Sequence, residues 1–153
     1  MTTDDLFTFV ACTSRLILQR DGATLATLRA QVRSLLERVL VLPNDVNWPG
    51  DIEPVSRYAE FRVQIERSWP ELGCYDAATG GTLDLDATGE VGDAVDDLTD
   101  IVVDLDKAGQ LACVDEEGAR SWLRFAVETH WGEHARNLDR HLDRLAGQAE
   151  ESP

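Results

Sequence analysis

Four aspartates, Asp93, Asp97, Asp100 and Asp104, recur at spacings of four, three and four residues. On an α-helix that spacing confines them to a wedge of about 60°. The result is one acidic stripe, bordered by Ala94, Ile101 and Ala108, so that it adjoins the side of the helix that must be buried. Like charges three and four residues apart cost a few tenths of a kcal/mol per pair, and some compensation is expected. Three kinds fit: a divalent cation held by carboxylates, a basic partner surface, or internal arginines, with Arg62, Arg120 and Arg124 as candidates.

His130-Trp131-Gly132-Glu133-His134 spells H-x-x-E-H, the order in which two histidines one turn apart hold zinc and the glutamate activates water. Gly132 interrupts that helix, Glu133 points off the histidine face, and no downstream residue supplies a third ligand. With His141 the pair flanks an apolar stripe, where hydrogen-bonded histidines line a helix seam. The sequence therefore assigns Arg62, His130 and His134 to a polar seam, and neither a metal nor a cofactor to the chain.

Asp84-Leu85-Asp86-Ala87-Thr88-Gly89 matches the D-x-D-x-T of haloacid-dehalogenase-type phosphatases, whose nucleophile needs a strand in a doubly wound sheet that is not predicted here. The same letters open a calcium loop, but Val95 stands where a bidentate glutamate is required. There is no phosphate-binding glycine loop, and no Ser or Cys has a histidine partner readable from sequence. No catalytic residue is assigned.

The elements that must position these groups read as helices. Apolar residues recur with helical period in nearly every segment, and strand alternation is almost absent. A first helix over Asp4 to Arg20 presents Leu6, Val10 and Ile17 and ends at Asp21-Gly22; a second, capped by Thr24, presents Leu28, Val32, Leu35 and Val39 and runs to Pro43. A third is predicted over Glu53 to Trp69, with Tyr58, Ile65 and Trp69 inward, and Pro70 stops it. Glu71 to Gly92 is an irregular acidic loop with room for a short hairpin. A fourth helix is predicted over Glu90 to Ala112, and a long fifth opens at Asp115-Glu116-Glu117 and runs to Leu145. The expected fold is all-α: one antiparallel bundle of about five helices over residues 1–147, followed by a frayed tail, 148–153.

The chain has 153 residues and a formal net charge of −15. The segment from Glu71 to Glu117 carries fourteen acids and one base, so nearly all the imbalance lies there. Direct binding to nucleic acid or to an anionic membrane surface is disfavoured, and a basic protein surface is the favoured partner. Met1 to Asp5 lacks the basic and apolar segments of a secretory signal, which predicts a cytoplasmic setting. Three cysteines without C-x-x-C spacing predict no disulfide framework; two are expected in the core and one in a loop.

The run Asp97-Leu98-Thr99-Asp100-Ile101-Val102-Val103-Asp104-Leu105, with Trp131-Gly132 and Asn137-Leu138 in the last helix, resembles a bacterial family, domain of unknown function 5063. The resemblance implies an all-helical bacterial protein in which Asp97, Asp100, Asp104 and Trp131 belong to the family pattern and His130 and His134 do not. It brings no activity and no catalytic residues. Two functions follow as expectations. The first is a non-enzymatic interaction or regulatory module binding a basic partner. The alternative is a small all-helical hydrolase that uses a divalent metal on a phosphate-containing substrate.

Overall fold

Helical periodicity decides the architecture. The computed structural model describes residues 3–48, 57–83 and 89–151. Helix α1 spans Thr3–Gln19, α2 Leu25–Leu40 and α3 Tyr58–Ser68; strands β1, Cys74–Asp76, and β2, Val91–Asp93, follow; α4 spans Ala94–Ala112, α5 Glu116–Ala126 and α6 Gly132–Glu151. A π-helical turn, Val127–Trp131, joins α5 to α6 without a break, so the long fifth rod expected from sequence is present with one wide turn inside it. α6 continues through Gln148 to Glu151, where a frayed tail was expected.

The caps are chemical. Thr24 accepts the N–H of Thr27 at the start of α2, and Asp115 accepts the N–H of Gly118 at the start of α5. Asp93 caps α4 by accepting the N–H groups of Val95 and Asp96, so the helix starts at Ala94 and not at Glu90 as the sequence predicts. The residues just before it instead form β2, antiparallel to β1, with Tyr75 opposite Gly92. A Cβ on Gly92 would come within 2.3 Å of the Tyr75 ring, so the pairing needs glycine there.

α4 is the central rod, packed against α1, α3, α5 and α6. Its buried face includes Leu98, Ile101, Val102 and Leu105, met by Ile17 of α1, Ile65 of α3 and Leu138 of the last rod. Trp69 is fully buried and donates its indole N–H to the Ile17 carbonyl at 2.8 Å, pinning the end of α3 to α1. Phe61 is buried as well, on the face of α3 for which the sequence named Tyr58, Ile65 and Trp69.

One expectation is corrected here, the placement of the cysteines. Cys12, Cys74 and Cys113 are all exposed: the first on the outer side of α1, the second at an outward strand position, the third at the α4 cap. The first five residues of Asp84-Leu85-Asp86-Ala87-Thr88-Gly89, and the predicted start of the third helix before Arg57, lie outside the described residues. No helix among the described residues is long and apolar enough to cross a membrane.

Candidate metal centre

Asp97 and Asp104 lie two turns apart along one line of α4, with Asp100 between them. Asp97 and Asp104 are each only 4% exposed, so these two carboxylates face into the bundle, while Asp93 and Asp100 are partly exposed. Opposite it stand His130, near the end of the π-helical turn, and His134, in the first turn of α6. His134 Nδ1 lies 2.7 Å from Asp97 Oδ1, and His130 Nδ1 lies 2.7 Å from Asp104 Oδ2. An ionised carboxylate only accepts, so each Nδ1 donates and each ring is held in one tautomer. Both Nε2 atoms then face Asp100: that of His134 is 3.3 Å from Oδ2 and that of His130 is 3.8 Å from Oδ1.

The turn that delivers the histidines is built by glycine. Ala119, Leu123, Val127, Trp131 and Ala135 are all buried at successive spacings of four. In an unbroken α-helix each step of four drifts by about 40°, and the stripe would leave the core. The π turn absorbs an extra residue and returns the stripe to it. It closes with the Gly132 N–H on the Val127 carbonyl, an oxygen that a Cβ on Gly132 would approach to 2.0 Å. The glycine that counts against a metal helix in sequence is what permits the turn.

Electrostatics set the demand of the site. Burial pushes the Asp104 carboxyl above the usual carboxylate range despite the bond to His130. Burial, reinforced by the nearby Asp96 and Asp104 charges, does the same to Asp100. The bond to Asp97 raises His134 against the opposing effect of burial. A neutral imidazole protonated at Nδ1 presents a lone pair at Nε2; at 3.3 Å from a carboxylate oxygen it is repelled unless a proton or a cation lies between them. Two ligand atoms about 2.1 Å from a tetrahedral metal are about 3.4 Å apart, close to the 3.3 and 3.8 Å found. One donor atom from each of Asp100, His130 and His134 lies within 4.8 Å of the others.

Of the four stripe aspartates, Asp93 is the one with an arginine partner among the described residues. Arg62 sits with Asp93, at 3.0 Å, and near Asp96, at 3.9 Å, so it joins neither Asp97 nor Asp100 and leaves the seam to the histidines. Arg124 pairs with Glu128 of its own rod at 2.7 Å. Asp93 is thus a cap and an ion-pair partner, apart from the centre formed by the other three aspartates. Glu133 is exposed. His141 is removed from the centre; its Nδ1 meets the Gly80 carbonyl oxygen at 2.9 Å and its ring stacks on Tyr75.

Absence of a downstream ligand argues against a metal in the sequence; the group that could serve as a third ligand lies upstream, Asp100 of the packed neighbour α4. Tyr75, on β1, has no signature at all in sequence, yet its hydroxyl donates to Asp97 Oδ2. Asp96 similarly accepts from the hydroxyl of Tyr58 at the entrance of α3.

No family model matches the chain, and no curated protein matches it. Among solved structures, the chain is similar to the crystal structure of protein BF1032 from Bacteroides fragilis, with a TM-score of 0.69, 15% identity, and coverage of 92% of this chain and 89% of that one. That likeness is one of fold.

Proposed function

We propose that this protein holds one divalent transition-metal ion on His130, His134 and Asp100 and uses it for hydrolytic chemistry. The observation that carries the proposal is the convergence of both Nε2 atoms on Asp100 while buried Asp97 and Asp104 hold both Nδ1 atoms. Carboxylates behind metal-bound histidines fix ring orientation and raise ligand basicity, which is the arrangement found. Two imidazoles and one carboxylate suit zinc, iron(II) or manganese better than magnesium, which favours an all-oxygen shell. Three protein ligands leave coordination positions for water and a substrate oxygen, and the His130 side chain, 45% exposed, marks the side open to solvent.

The phosphate-containing substrate expected from the sequence would meet the charge of Asp96, which already acts on Asp100, and Arg62 beside Asp96 is already paired with Asp93 and Glu66. A neutral ester or amide carbonyl suits that surface better. The first expectation, an interaction module for a basic partner, rested on the acidic segment from Glu71 to Glu117, of which Asp97 and Asp104 are buried. Three exposed, unpaired thiols support a reducing, cytoplasmic setting. Membership of the domain of unknown function 5063 family, with the bacterial origin it implies, belongs to the same proposal and adds no catalytic residue.

Chelator-treated protein titrated calorimetrically with zinc, manganese and magnesium tests the reading. One equivalent of zinc or manganese should bind, with magnesium far weaker, and His134→Ala and Asp100→Asn should each remove the tight site. Metal-dependent cleavage of a nitrophenyl ester should exceed that of a nitrophenyl phosphodiester and disappear in the same variants. Absence of a one-to-one site, or tight binding retained in both variants, contradicts it.

A further inference from the structure

Tyr75 is fully buried in a strand of only three residues, and its hydroxyl donates to an aspartate with no other role in the hairpin. Asp97 receives that hydroxyl on Oδ2 and the His134 ring on Oδ1, so both its oxygens are occupied and its carboxylate plane is fixed from two sides. The ring of Tyr75 is fixed in turn, stacked on His141 with centroids 4.3 Å apart and lying over Gly92, where no side chain fits. The chain of contacts therefore runs from the hairpin through Tyr75 and Asp97 to His134. On the other arm, His130 is 45% exposed at its side chain against 27% for His134.

We infer that Tyr75 is a positioning residue for the metal centre: by holding Asp97 it orients the His134 imidazole, making His134 the preorganised ligand and His130 the one that adjusts. This rests on the metal-centre reading and adds a residue outside the ligand set. Partners behind a metal ligand contribute about 10- to 100-fold to affinity when removed. Tyr75→Phe keeps the aromatic packing on Gly92 and His141 and deletes only the hydroxyl.

The test is a double-mutant cycle on zinc affinity with wild type, Tyr75→Phe, Asp97→Asn and the double variant, each checked for helicity by circular dichroism. Tyr75→Phe should lower zinc affinity by about tenfold or more in the Asp97 protein and change it by less than about twofold in the Asp97→Asn protein, because the route through Asp97 is already cut. The cobalt(II) visible spectrum of Tyr75→Phe should shift from that of wild type. Should the variant be too unstable for calorimetry, the rise in unfolding midpoint at saturating zinc gives the same comparison and should be smaller than in wild type. Wild-type zinc affinity in Tyr75→Phe, or an equal loss in both backgrounds, overturns the positioning role while leaving the metal centre standing. Failure of wild type to bind any metal overturns the centre itself.

Discussion

Gly132 closes a hydrogen bond onto the carbonyl of Val127 through a space that no side chain can enter, since a Cβ there would stand 2.0 Å from that oxygen. His130 and His134 lie on either side of this contact, so the geometry of the candidate centre depends on it. Gly132→Ala should therefore destabilise the protein by about 1–3 kcal/mol, the range for forcing atoms into a packed site. It should weaken metal binding as well, because relaxing the wide turn rotates one histidine relative to the other. Urea unfolding and zinc titration of the variant check both. A stable variant with wild-type zinc affinity would show that the turn tolerates a methyl group and does not set the site.

Leu98 is fully buried on α4, one residue from Asp97. Leu98→Ala should cost about 2–4 kcal/mol through lost burial and the cavity left behind. Chemical denaturation measures it directly, and a cost under about 0.5 kcal/mol would mean that the inner face of α4 is misassigned.

Asp93 titrates in the opposite sense to Asp100 and Asp104. Burial would raise its carboxyl, but the Arg62 guanidinium and the N–H groups at the start of α4 outweigh burial and hold it below the usual carboxylate range. A carboxyl depressed in the folded state adds stability above its unfolded pKa, about 3.9, and loses it as pH falls through the lower folded value. Asp93→Ala should cost about 1 kcal/mol at neutral pH as a lost helix cap. The gap between wild type and variant should stay constant down to about pH 5 and close below about pH 4. Urea unfolding across that range checks the sign; a gap that widens on acidification would contradict it.

Local signals in the sequence carry most of the fold. The apolar faces of α1 and α2 match the buried residues because helical periodicity and tertiary burial agree there. The aspartate spacing and the H-x-x-E-H run are likewise visible as lines of text. What the text cannot show is that they meet: His130 and Asp104 are 26 residues apart, and their contact depends on how α4 packs against the last rod. Arg62 illustrates the limit: it does meet the stripe, but at Asp93 at the start of α4 and not at Asp97 or Asp100. The wide turn did leave a trace, five apolar positions at unbroken spacings of four, which a straight α-helix could not keep on one face. Tyr75 left none, since three residues of strand are too short to register as alternation.

A crystal grown in zinc and measured at the zinc absorption edge tests the metal centre most directly. The proposal predicts one anomalous peak per chain about 2.0–2.2 Å from His130 Nε2, His134 Nε2 and one oxygen of Asp100, with both Nδ1 atoms still bonded to Asp104 and Asp97. A fully formed His–Asp cluster without a peak, or a peak held only by surface residues such as Glu133, would contradict it.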